Sequence, residues 1–434
     1  MKVIVIGSGG REHALCWKIR QSRIVEELFC SPGNAGIAEI ADCPPLASSD
    51  PDAVADFVAR QGIDLTVVGP ELPLAQGLAD RIAARGRAVF GPTMGAARLE
   101  SSKAFAKEFM TRYGIPTARY EIFDDADQAL RYVERADLPL VVKADGLAAG
   151  KGVVVAADRD QAREAVQKMM VQGAFGNAGR RVVIEECLTG REASFFAITD
   201  GVRVIPLVSS QDHKRVFDGD RGPNTGGMGA FSPAMHLDRE ATAFVLEKIV
   251  GPTIKGIAKE GHPYRGVLYV GLMLTEDGPK VLEYNCRFGD PETQVVIPRL
   301  ASDLVPLLAA AAQGDLSGVR VEWRREAAVC VVMASAGYPG SYPKGRKITG
   351  LERFAGRSDI LVFHAGTRTG PNGEIRTAGG RVLGVTALGR NLAEARARAY
   401  AAVGEIEFQG AHYRRDIAAA AIEPNSRNRA VEVP

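Results

Sequence analysis

The chain has 434 residues, of which 46% are hydrophobic and 24% are charged, and its formal net charge is +2. This composition is typical of a globular protein and gives no indication of a nucleic-acid or membrane partner, and no apolar run approaches the length of a membrane span. The six cysteines are scattered without a Cys-x-x-Cys pair, which argues against a disulfide framework or structural zinc and favours a reducing, cytoplasmic setting. At about 150 residues per domain, the length indicates roughly three domains.

Strand and helix signals alternate over the first hundred residues. Short apolar runs predict strands at 2–7, 26–30, 64–69 and 88–91. The segments between them predict helices near 11–21, 51–61 and 73–85. This alternation indicates βαβ units in a doubly wound parallel-sheet domain, residues 1–100, with ligands expected beyond the carboxyl ends of the strands.

The rest of the chain divides into a longer and a shorter part. A helix at 101–118 leads into a strand-rich unit at about 120–190 and a long Gly-rich loop at 211–231. Further on we expect a helix near 238–260, a hairpin turning at 276–278, a helix at 302–313, and a final α+β unit whose helix covers 391–403. We therefore expect domains at 101–320 and 321–422, followed by a frayed tail at 423–434.

A glycine cluster, GSGGREH at 7–13, follows the first strand. Glu12 stands where a dinucleotide fingerprint needs glycine or alanine, and no acidic residue ends the second strand, so NAD binding is disfavoured. A glycine turn that opens a helix still offers N–H groups to an anion, and the adjacent Arg11 favours a phosphate-bearing substrate. A tight turn without a ligand is the alternative.

Two lysines flank a glycine-rich loop in VVKADGLAAGKGVVV, residues 141–155. Such a loop, with Lys143 at one end and Lys151 near the other, can fold over a polyphosphate, although it lacks the Walker spacing. A plain Gly-rich hairpin is the alternative.

An acidic segment follows in VVIEECLTGREAS, residues 182–194. The backbone of Glu186 and Leu188 can contact the edge of an adenine, while a carboxylate of this segment binds a ribose. The alternative is a solvated acidic connection.

The strand-like stretch KVLEYNCRFGDPETQ, residues 280–294, separates two kinds of side chain. Alternation puts Leu282, Tyr284, Cys286 and Phe288 on a core face, and Glu283, Asn285 and Arg287 on the other. Residues i and i+2 are about 6.7 Å apart on a strand, so Glu283 and Asn285 can lean together towards one cation. An oxygen-only pair suits Mg²⁺ or Mn²⁺ and not zinc. The alternative is an exposed sheet face with a Glu283–Arg287 pair.

Together these stretches resemble the ATP-grasp ligases, and within them the glycinamide ribonucleotide synthetase family. The motifs are KADGLAAGKG, the acidic segment after it, HKRVFDGDRGPNTGGMGA and EYNCRFGDPETQ, supported by GSGGREHAL, SPGNAGIA, VVGPELPLAQGL and GGRVLGVTALG. The resemblance extends to about residue 422. It implies an α/β and α+β multidomain protein: an N-terminal doubly wound domain, a two-lobed ATP-grasp core with a mobile lid at about 120–190, and a small C-terminal α+β domain.

The resemblance also implies a reaction and its partners. Glycine would be joined to 5-phosphoribosylamine, with ATP as co-substrate and Mg²⁺ or Mn²⁺ as cofactor, through a glycyl phosphate in purine biosynthesis. We infer no obligate protein partner and expect a monomer or weak dimer. The runner-up activity is another ATP-grasp carboxylate–amine ligase or a carboxylase, and a nucleotide sensor without catalysis is a further class.

Site residues follow from the family motifs. The implied ATP-binding residues are Lys103, Lys143, Gly150, Lys151, Gly152, Glu185, Glu186, Leu188 and Glu192, with 146–152 as a lid. The implied metal ligands are Glu283 and Asn285, and the implied catalytic residues are Arg287 and Lys143. The implied substrate-binding residues are Gly9, Gly10, Arg11, Asp212, Lys214, Thr225, Gly226, Gly227, Met228 and Arg287. His213 is expected to position substrate rather than act as a base.

One position departs from the ATP-grasp pattern. Many of these enzymes carry a further carboxylate on the strand before the metal pair. Here that strand reads VLYVGLML, residues 267–274, and the nearest acidic residues are Glu276 and Asp277 in the hairpin turn. Either one metal ion is held mainly by phosphates and water, or its ligand comes from elsewhere.

Overall fold

A computed structural model of the chain describes residues 1–148 and 151–422. The first hundred residues form a four-stranded parallel sheet in the order β2-β1-β3-β4. Its strands are β1 (Lys2–Gly7), β2 (Glu27–Pro32), β3 (Leu65–Val68) and β4 (Ala88–Phe90). The helices of this region are α1 (Gly10–Ile19), α2 (Pro51–Gln61), α3 (Glu71–Ala75), α4 (Leu78–Ala84) and α5 (Met94–Ser101).

Alternate residues of β1 pack on opposite sides of this sheet. Val3 and Val5 join a core with α1, while Ile4 and Ile6 join a core with α2 and α4. Both faces are therefore covered, as a parallel sheet requires. The single helix predicted at 73–85 is wrong: the chain breaks into α3 and α4 at Gly77, whose φ of +80° is unfavourable for other residues.

The next region contains two further four-stranded sheets and one small two-stranded sheet. Its strands are β5 (Tyr120–Phe123), β6 (Leu140–Ala144), β7 (Val153–Ala156), β8 (Val182–Glu186), β9 (Arg191–Thr199), β10 (Val204–Pro206), β11 (Gln211–Asp212), β12 (Arg215–Phe217), β13 (Arg221–Asn224), β14 (Gly229–Ser232), β15 (Gly266–Thr275) and β16 (Gly278–Asn285). Its helices are α6 (Lys103–Arg112), α7 (Ala126–Arg135), α8 (Arg159–Val166), α9 (Arg239–Phe244), α10 (Gly251–Lys259), α11 (Thr293–Val296) and α12 (Leu304–Gln313). The antiparallel lid sheet has the order β5-β8-β6-β7, and the antiparallel floor sheet has the order β10-β9-β15-β16.

The predicted hairpin forms β15 and β16, but its alternation is interrupted. Gly271 faces Glu283 while the next residue, Leu272, faces Val281, so Leu282 is an extra residue in β16. The assignment of Leu282 to the core face is therefore wrong: Val281 is fully buried, and Leu282 lines a cavity.

The predicted long loop at 211–231 is also wrong, because it contains the short strands β11, β12, β13 and the start of β14. Contacts with the C-terminal region order it. The buried Arg414 donates to the carbonyl of Arg215 at 3.1 Å and to Asp220 at 2.7 Å. The N–H of Gly219 donates to Asp416 at 2.8 Å.

The C-terminal region extends the strand pair β11-β14 into a larger sheet of order β11-β14-β17-β21-β18, with β22 paired to β17. The strands are β17 (Ala327–Ser335), β18 (Ile360–His364), β19 (Thr367–Thr369), β20 (Ile375–Thr377), β21 (Arg381–Gly389) and β22 (Ala411–His412). The helices are α13 (Leu392–Val403) and α14 (Ala419–Ile422). This multidomain α/β and α+β arrangement is the one predicted. In residues 1–148 and 151–422, no helix is long and apolar enough to cross a membrane.

Candidate active site

A cavity of about 1010 Å³ lies between the lid sheet and the floor sheet. Its walls also include Arg11 and Glu71 from the N-terminal region and Arg381 from the C-terminal region. All three regions of the chain therefore meet at one site. The predicted residues that line it are Arg11, Lys103, Lys143, Gly152, Glu185, Glu186, Leu188, Glu192, Asp212, His213, Lys214, Thr225, Gly226, Glu283, Asn285 and Arg287.

The metal pair predicted on β16 lines this cavity. Tyr284 lies between the two residues and points the other way, where its hydroxyl lies 2.8 Å from the hydroxyl of Thr253 in the core. Burial by itself would raise the pKa of Glu283, but the ammonium groups of Lys214 and other nearby cations outweigh burial and lower it. Glu283 is therefore a carboxylate at neutral pH.

Arg287 is held by two carboxylates of the N-terminal region. Its Nη2 lies 2.9 Å from Oε1 of Glu100, and its Nε lies 3.4 Å from Oε2 of Glu71. Nη2 also donates to Oδ1 of Asn285 at 3.0 Å. Burial disfavours the charge of Arg287, but Glu100 and Glu71 overcome this effect and raise its pKa.

Lys143 belongs to a buried ionic group of the lid. Its Nζ lies 2.8 Å from Glu185 and donates to the carbonyl of Leu282 at 3.1 Å. Lys107 lies 2.8 Å from the other oxygen of Glu185, and burial lowers the pKa of Lys107 to about 8 although Glu185 opposes this shift. Glu185 thus orients Lys143. The neighbouring Glu186 instead forms an ion pair with the exposed Arg119, at 2.7 Å.

The lid loop is attached to the start of α6. Lys103 donates through Nζ to the carbonyl of Gly146 at 3.1 Å, and the N–H of Ala104 donates to the Asp145 carboxylate at 2.7 Å. Lys151 instead donates to the carbonyl of Pro339 in the C-terminal region at 3.0 Å. Gly150 lies outside the described residues.

Lys214 lies between two carboxylates of the floor sheet. Its Nζ is 3.4 Å from Glu192 and 3.5 Å from Glu283. Burial raises the pKa of Asp212 to about 8 although Lys214 opposes it, and the Glu292 carboxylate adds to the increase. One wall of the cavity therefore carries the positive charge of Lys214 and, beside it, the carboxyl group of Asp212, which is readily protonated.

The segment 224–229 is held from both sides. The N–H of Thr225 donates to the carbonyl of Lys214 at 2.8 Å, and Arg381 donates to the carbonyl of Gly226 at 2.6 Å. Gly227 donates to the Thr225 hydroxyl at 2.9 Å and does not line the cavity. The side chain of Met228 is buried in a small apolar cluster away from it.

The glycine turn at 7–13 uses much of its hydrogen-bonding capacity internally. The N–H of Gly9 donates to Glu12 at 2.6 Å, and the Arg11 Nε lies 2.5 Å from the same carboxylate. A Cβ on Gly10 would lie 2.5 Å from the amide of Gln294. Arg11 is thus the part of this turn that reaches the cavity.

Sequence reasoning missed several residues that shape the site. They are Glu71, Glu100, Lys107, Asp290, Glu292 and Arg381. Glu71, Asp290, Glu292 and Arg381 stand in motifs that carry the family resemblance, which was an available signal. Glu100 and Lys107 act through contacts between distant parts of the chain, and no local pattern identifies them.

A lid sheet and a floor sheet that enclose lysines, a carboxylate–amide pair and a glycine-rich loop define an ATP-grasp enzyme. Three family descriptions match the chain: phosphoribosylglycinamide synthetase N domain at residues 1–100, ATP-grasp (A) domain at 101–293 and C domain at 328–420. The chain belongs to the phosphoribosylglycinamide synthetase family, as its motifs indicated.

Known proteins agree with this membership. The phosphoribosylamine–glycine ligase of Rhizobium meliloti (strain 1021) is 52% identical over 417 residues, which cover 96% of this chain and 98% of that protein. The crystal structure of phosphoribosylamine–glycine ligase from Thermotoga maritima has a TM-score of 0.84 at 36% identity and covers 96% of this chain and 100% of that chain. The Campylobacter jejuni biotin carboxylase–ATP complex has a TM-score of 0.74 at 17% identity, covering 98% of this chain and 96% of that chain, and shares the fold alone.

Proposed function

We propose that this protein is an ATP-dependent ligase that joins glycine to 5-phosphoribosylamine, giving glycinamide ribonucleotide, ADP and phosphate in purine biosynthesis. The observation that carries the proposal is the full-length match, at 52% identity, to a protein named phosphoribosylamine–glycine ligase. Its proposed partners are small molecules. We also propose that it is a cytoplasmic protein and a monomer or weak dimer. We propose domain limits at residues 100 and 320.

The carboxylate of glycine is a poor electrophile, so it must be activated before an amine can attack its carbon. A carboxylate oxygen of glycine attacks the γ-phosphorus of ATP, the bond from that phosphorus to the β-phosphate oxygen breaks, and ADP leaves. The amine of phosphoribosylamine then attacks the carbonyl carbon of glycyl phosphate. The bond from carbon to the bridging oxygen breaks, phosphate leaves with that oxygen, and the amine loses a proton. Such a sequence depends mainly on positioning and charge neutralisation.

The nucleotide would lie between the lid and floor sheets. Lys103 and Lys143 would contact its phosphates, with Gly150, Lys151 and Gly152 in the loop above them. Leu188, Glu186 and Glu192 would meet adenine and ribose. Glu185 would orient Lys143, because its two oxygens each lie 2.8 Å from a lysine.

The donor set of β16 fits a hard divalent cation. One carboxylate oxygen and one amide oxygen, without His or Cys, suit Mg²⁺ or Mn²⁺, and the lowered pKa of Glu283 keeps it ionised. Glu283 and Asn285 would hold the ion, which when bound neutralises phosphate charge. Arg287 would stabilise the acyl phosphate.

The amine substrate and glycine would bind beyond the phosphates. Arg11 would contact the ribose phosphate, with Gly9 and Gly10 shaping the turn behind it. Asp212, Lys214, Thr225 and Gly226 would contact the reacting groups, while Gly227 and Met228 hold the segment in place.

Carboxylase activity is not favoured. The biotin carboxylase likeness, at 17% identity, extends to the fold alone. A coupled ADP-release assay tests the proposal, with phosphoribosylamine generated in situ and glycine compared with other small amino acids and bicarbonate. ADP release should require glycine, phosphoribosylamine and Mg²⁺ together, and full turnover with bicarbonate in place of glycine would refute it.

A further inference from the structure

Helix α6 carries a lysine, Lys107, on a face that is otherwise apolar and buried. The neighbours of Lys107 on this face include Ala104, Phe109 and Met110, and its own side chain is buried with them. Burying an ammonium group is costly unless anions and acceptors surround it. Lys107 also lies in the wall of the nucleotide cavity. A charged side chain at this position therefore indicates a role in the site that an apolar side chain could not fill.

The ammonium group of Lys107 links the lid sheet to the floor sheet. Its Nζ lies 2.8 Å from Oε2 of Glu185 in the lid strand β8, and it donates to the hydroxyl of Thr117 at 2.8 Å. The Thr117 hydroxyl in turn donates to the carbonyl of Val281 in the floor strand β16 at 2.7 Å. The carboxylate of Glu185 is thus tied to the floor sheet through two side chains.

Lys143 completes a ring of polar contacts from the other side of Glu185. Its Nζ lies 2.8 Å from Oε1 of Glu185 and donates to the carbonyl of Leu282 at 3.1 Å. Leu282 is the extra residue of the bulge in β16 and follows Val281 directly. The bulge therefore provides the carbonyl that anchors Lys143, next to the one that anchors Thr117.

This polar ring keeps one positive charge available to a ligand. It contains two ammonium groups and one carboxylate, and each oxygen of Glu185 has its own lysine. At pH 7 Lys107 is charged, because burial lowers its pKa only to about 8. With an apolar side chain in place of Lys107, Glu185 and Lys143 would form a neutral pair, which attracts a polyphosphate less strongly.

We propose that Lys107 is a positioning residue of the nucleotide site: it holds one oxygen of Glu185 on the floor sheet, so that the other oxygen directs Lys143 to the phosphates. The inference rests on the proposed function in placing the phosphates of ATP against Lys143. Lys107 acts through Glu185, and Thr117 fixes Lys107 to β16.

Binding of a non-hydrolysable ATP analogue with Mg²⁺ tests this inference by calorimetry at pH 7. Lys107→Met should weaken binding about ten-fold, since it removes one charge near the phosphates. Thr117→Val keeps every charge but loses the link to β16, and should weaken binding about three-fold, whereas Thr117→Ser keeps the hydroxyl and should bind as the wild type does. In the ADP-release assay, Lys107→Met should raise the KM for ATP and leave the KM for glycine unchanged.

Lys18→Met is the matched control for the loss of a buried lysine. Lys18 is buried and donates to the carbonyl of Leu300 at 2.7 Å, away from the cavity wall, so its replacement should not change binding of the analogue. Thermal unfolding shows which variants are folded.

Wild-type affinity in folded Lys107→Met would overturn the inference, as would equal losses in Lys107→Met and Lys18→Met. If Lys107→Met does not fold, the Thr117 pair decides: equal affinities of Thr117→Val and Thr117→Ser would overturn the inference. The binding measurement uses neither glycine nor phosphoribosylamine, so a wrong substrate assignment would leave its result unchanged.

Discussion

The carboxylate of Glu100 in α5 lies 2.9 Å from the guanidinium of Arg287, which follows the proposed metal ligand Asn285 by two residues. The second oxygen of Glu100 accepts the N–H of Cys286 at 2.6 Å. One side chain of the N-terminal region therefore fixes both the backbone and the charged group at the end of β16. The N-terminal region therefore helps to position a residue that we propose to be catalytic.

Replacing Glu100 by Gln should disturb this geometry without emptying the space. The amide can still accept from Cys286, but it no longer neutralises Arg287, which keeps its ion pair with Glu71. Since small misplacements of a positioning group reduce rates strongly, we expect kcat to fall about ten-fold, equal to about 1.4 kcal/mol. Steady-state kinetics measures this, with the exposed Glu247→Gln as control. A kcat equal to the wild-type value would show that Arg287 does not depend on Glu100.

Replacing Glu283 by Ala should remove the metal-dependent step while the fold remains. Activity should fall by at least about a hundred-fold, since the metal ion that Glu283 would hold contributes several kcal/mol of charge stabilisation. Glu276→Ala, in the hairpin turn of the same two strands, is the matched control and should keep normal activity. Wild-type kcat in Glu283→Ala would refute the metal assignment, and a large loss in Glu276→Ala would point to a ligand in the turn.

A buried histidine should make the protein sensitive to acid. Burial, with a smaller contribution from His364, lowers the pKa of His13 to about 3, and its Nδ1 accepts the N–H of His364 at 2.8 Å. The unfolded chain binds a proton near its ordinary value of 6.5 while the folded chain does not. The stability due to the neutral ring is therefore complete above pH 6.5 and is lost as the pH falls towards 3.

This linkage predicts that His13 alone lowers the free energy of unfolding by about 2 kcal/mol between pH 7 and pH 5. His13→Asn keeps an oxygen acceptor for His364 but does not titrate, so it should lose that part of the pH dependence. Denaturant unfolding at the two pH values measures the difference. The same pH dependence in the variant as in the wild type would contradict the prediction.

The glycine-rich loop at 144–152 should become protected when nucleotide binds. The phosphates of a bound nucleotide offer acceptors for the N–H groups of this segment, of which residues 149 and 150 lie outside the described part of the chain. Hydrogen exchange of peptides covering this segment should slow with an ATP analogue, whereas exchange in α13 of the C-terminal region should not change. Equal exchange of the loop with and without the analogue would count against its role as a lid.

Local periodicity explains what the sequence could predict. Alternation in β16 put Glu283 and Asn285 on one face, because a strand has a repeat of two residues. The same rule failed at Leu282, since a bulge depends on how the partner strand pairs. It also failed at 211–231, where short strands are stabilised by Arg414 and Asp416 far along the chain. Glu100 stayed hidden for the same reason, as its partner Arg287 is distant in sequence.

The most direct test of the central claim follows an oxygen atom. Glycine labelled with heavy oxygen in its carboxylate is converted in the presence of ATP, Mg²⁺ and phosphoribosylamine, and the released phosphate is analysed by mass spectrometry. If the reaction passes through glycyl phosphate, each phosphate released should carry one labelled oxygen from glycine. Unlabelled phosphate together with normal ADP release would contradict the account.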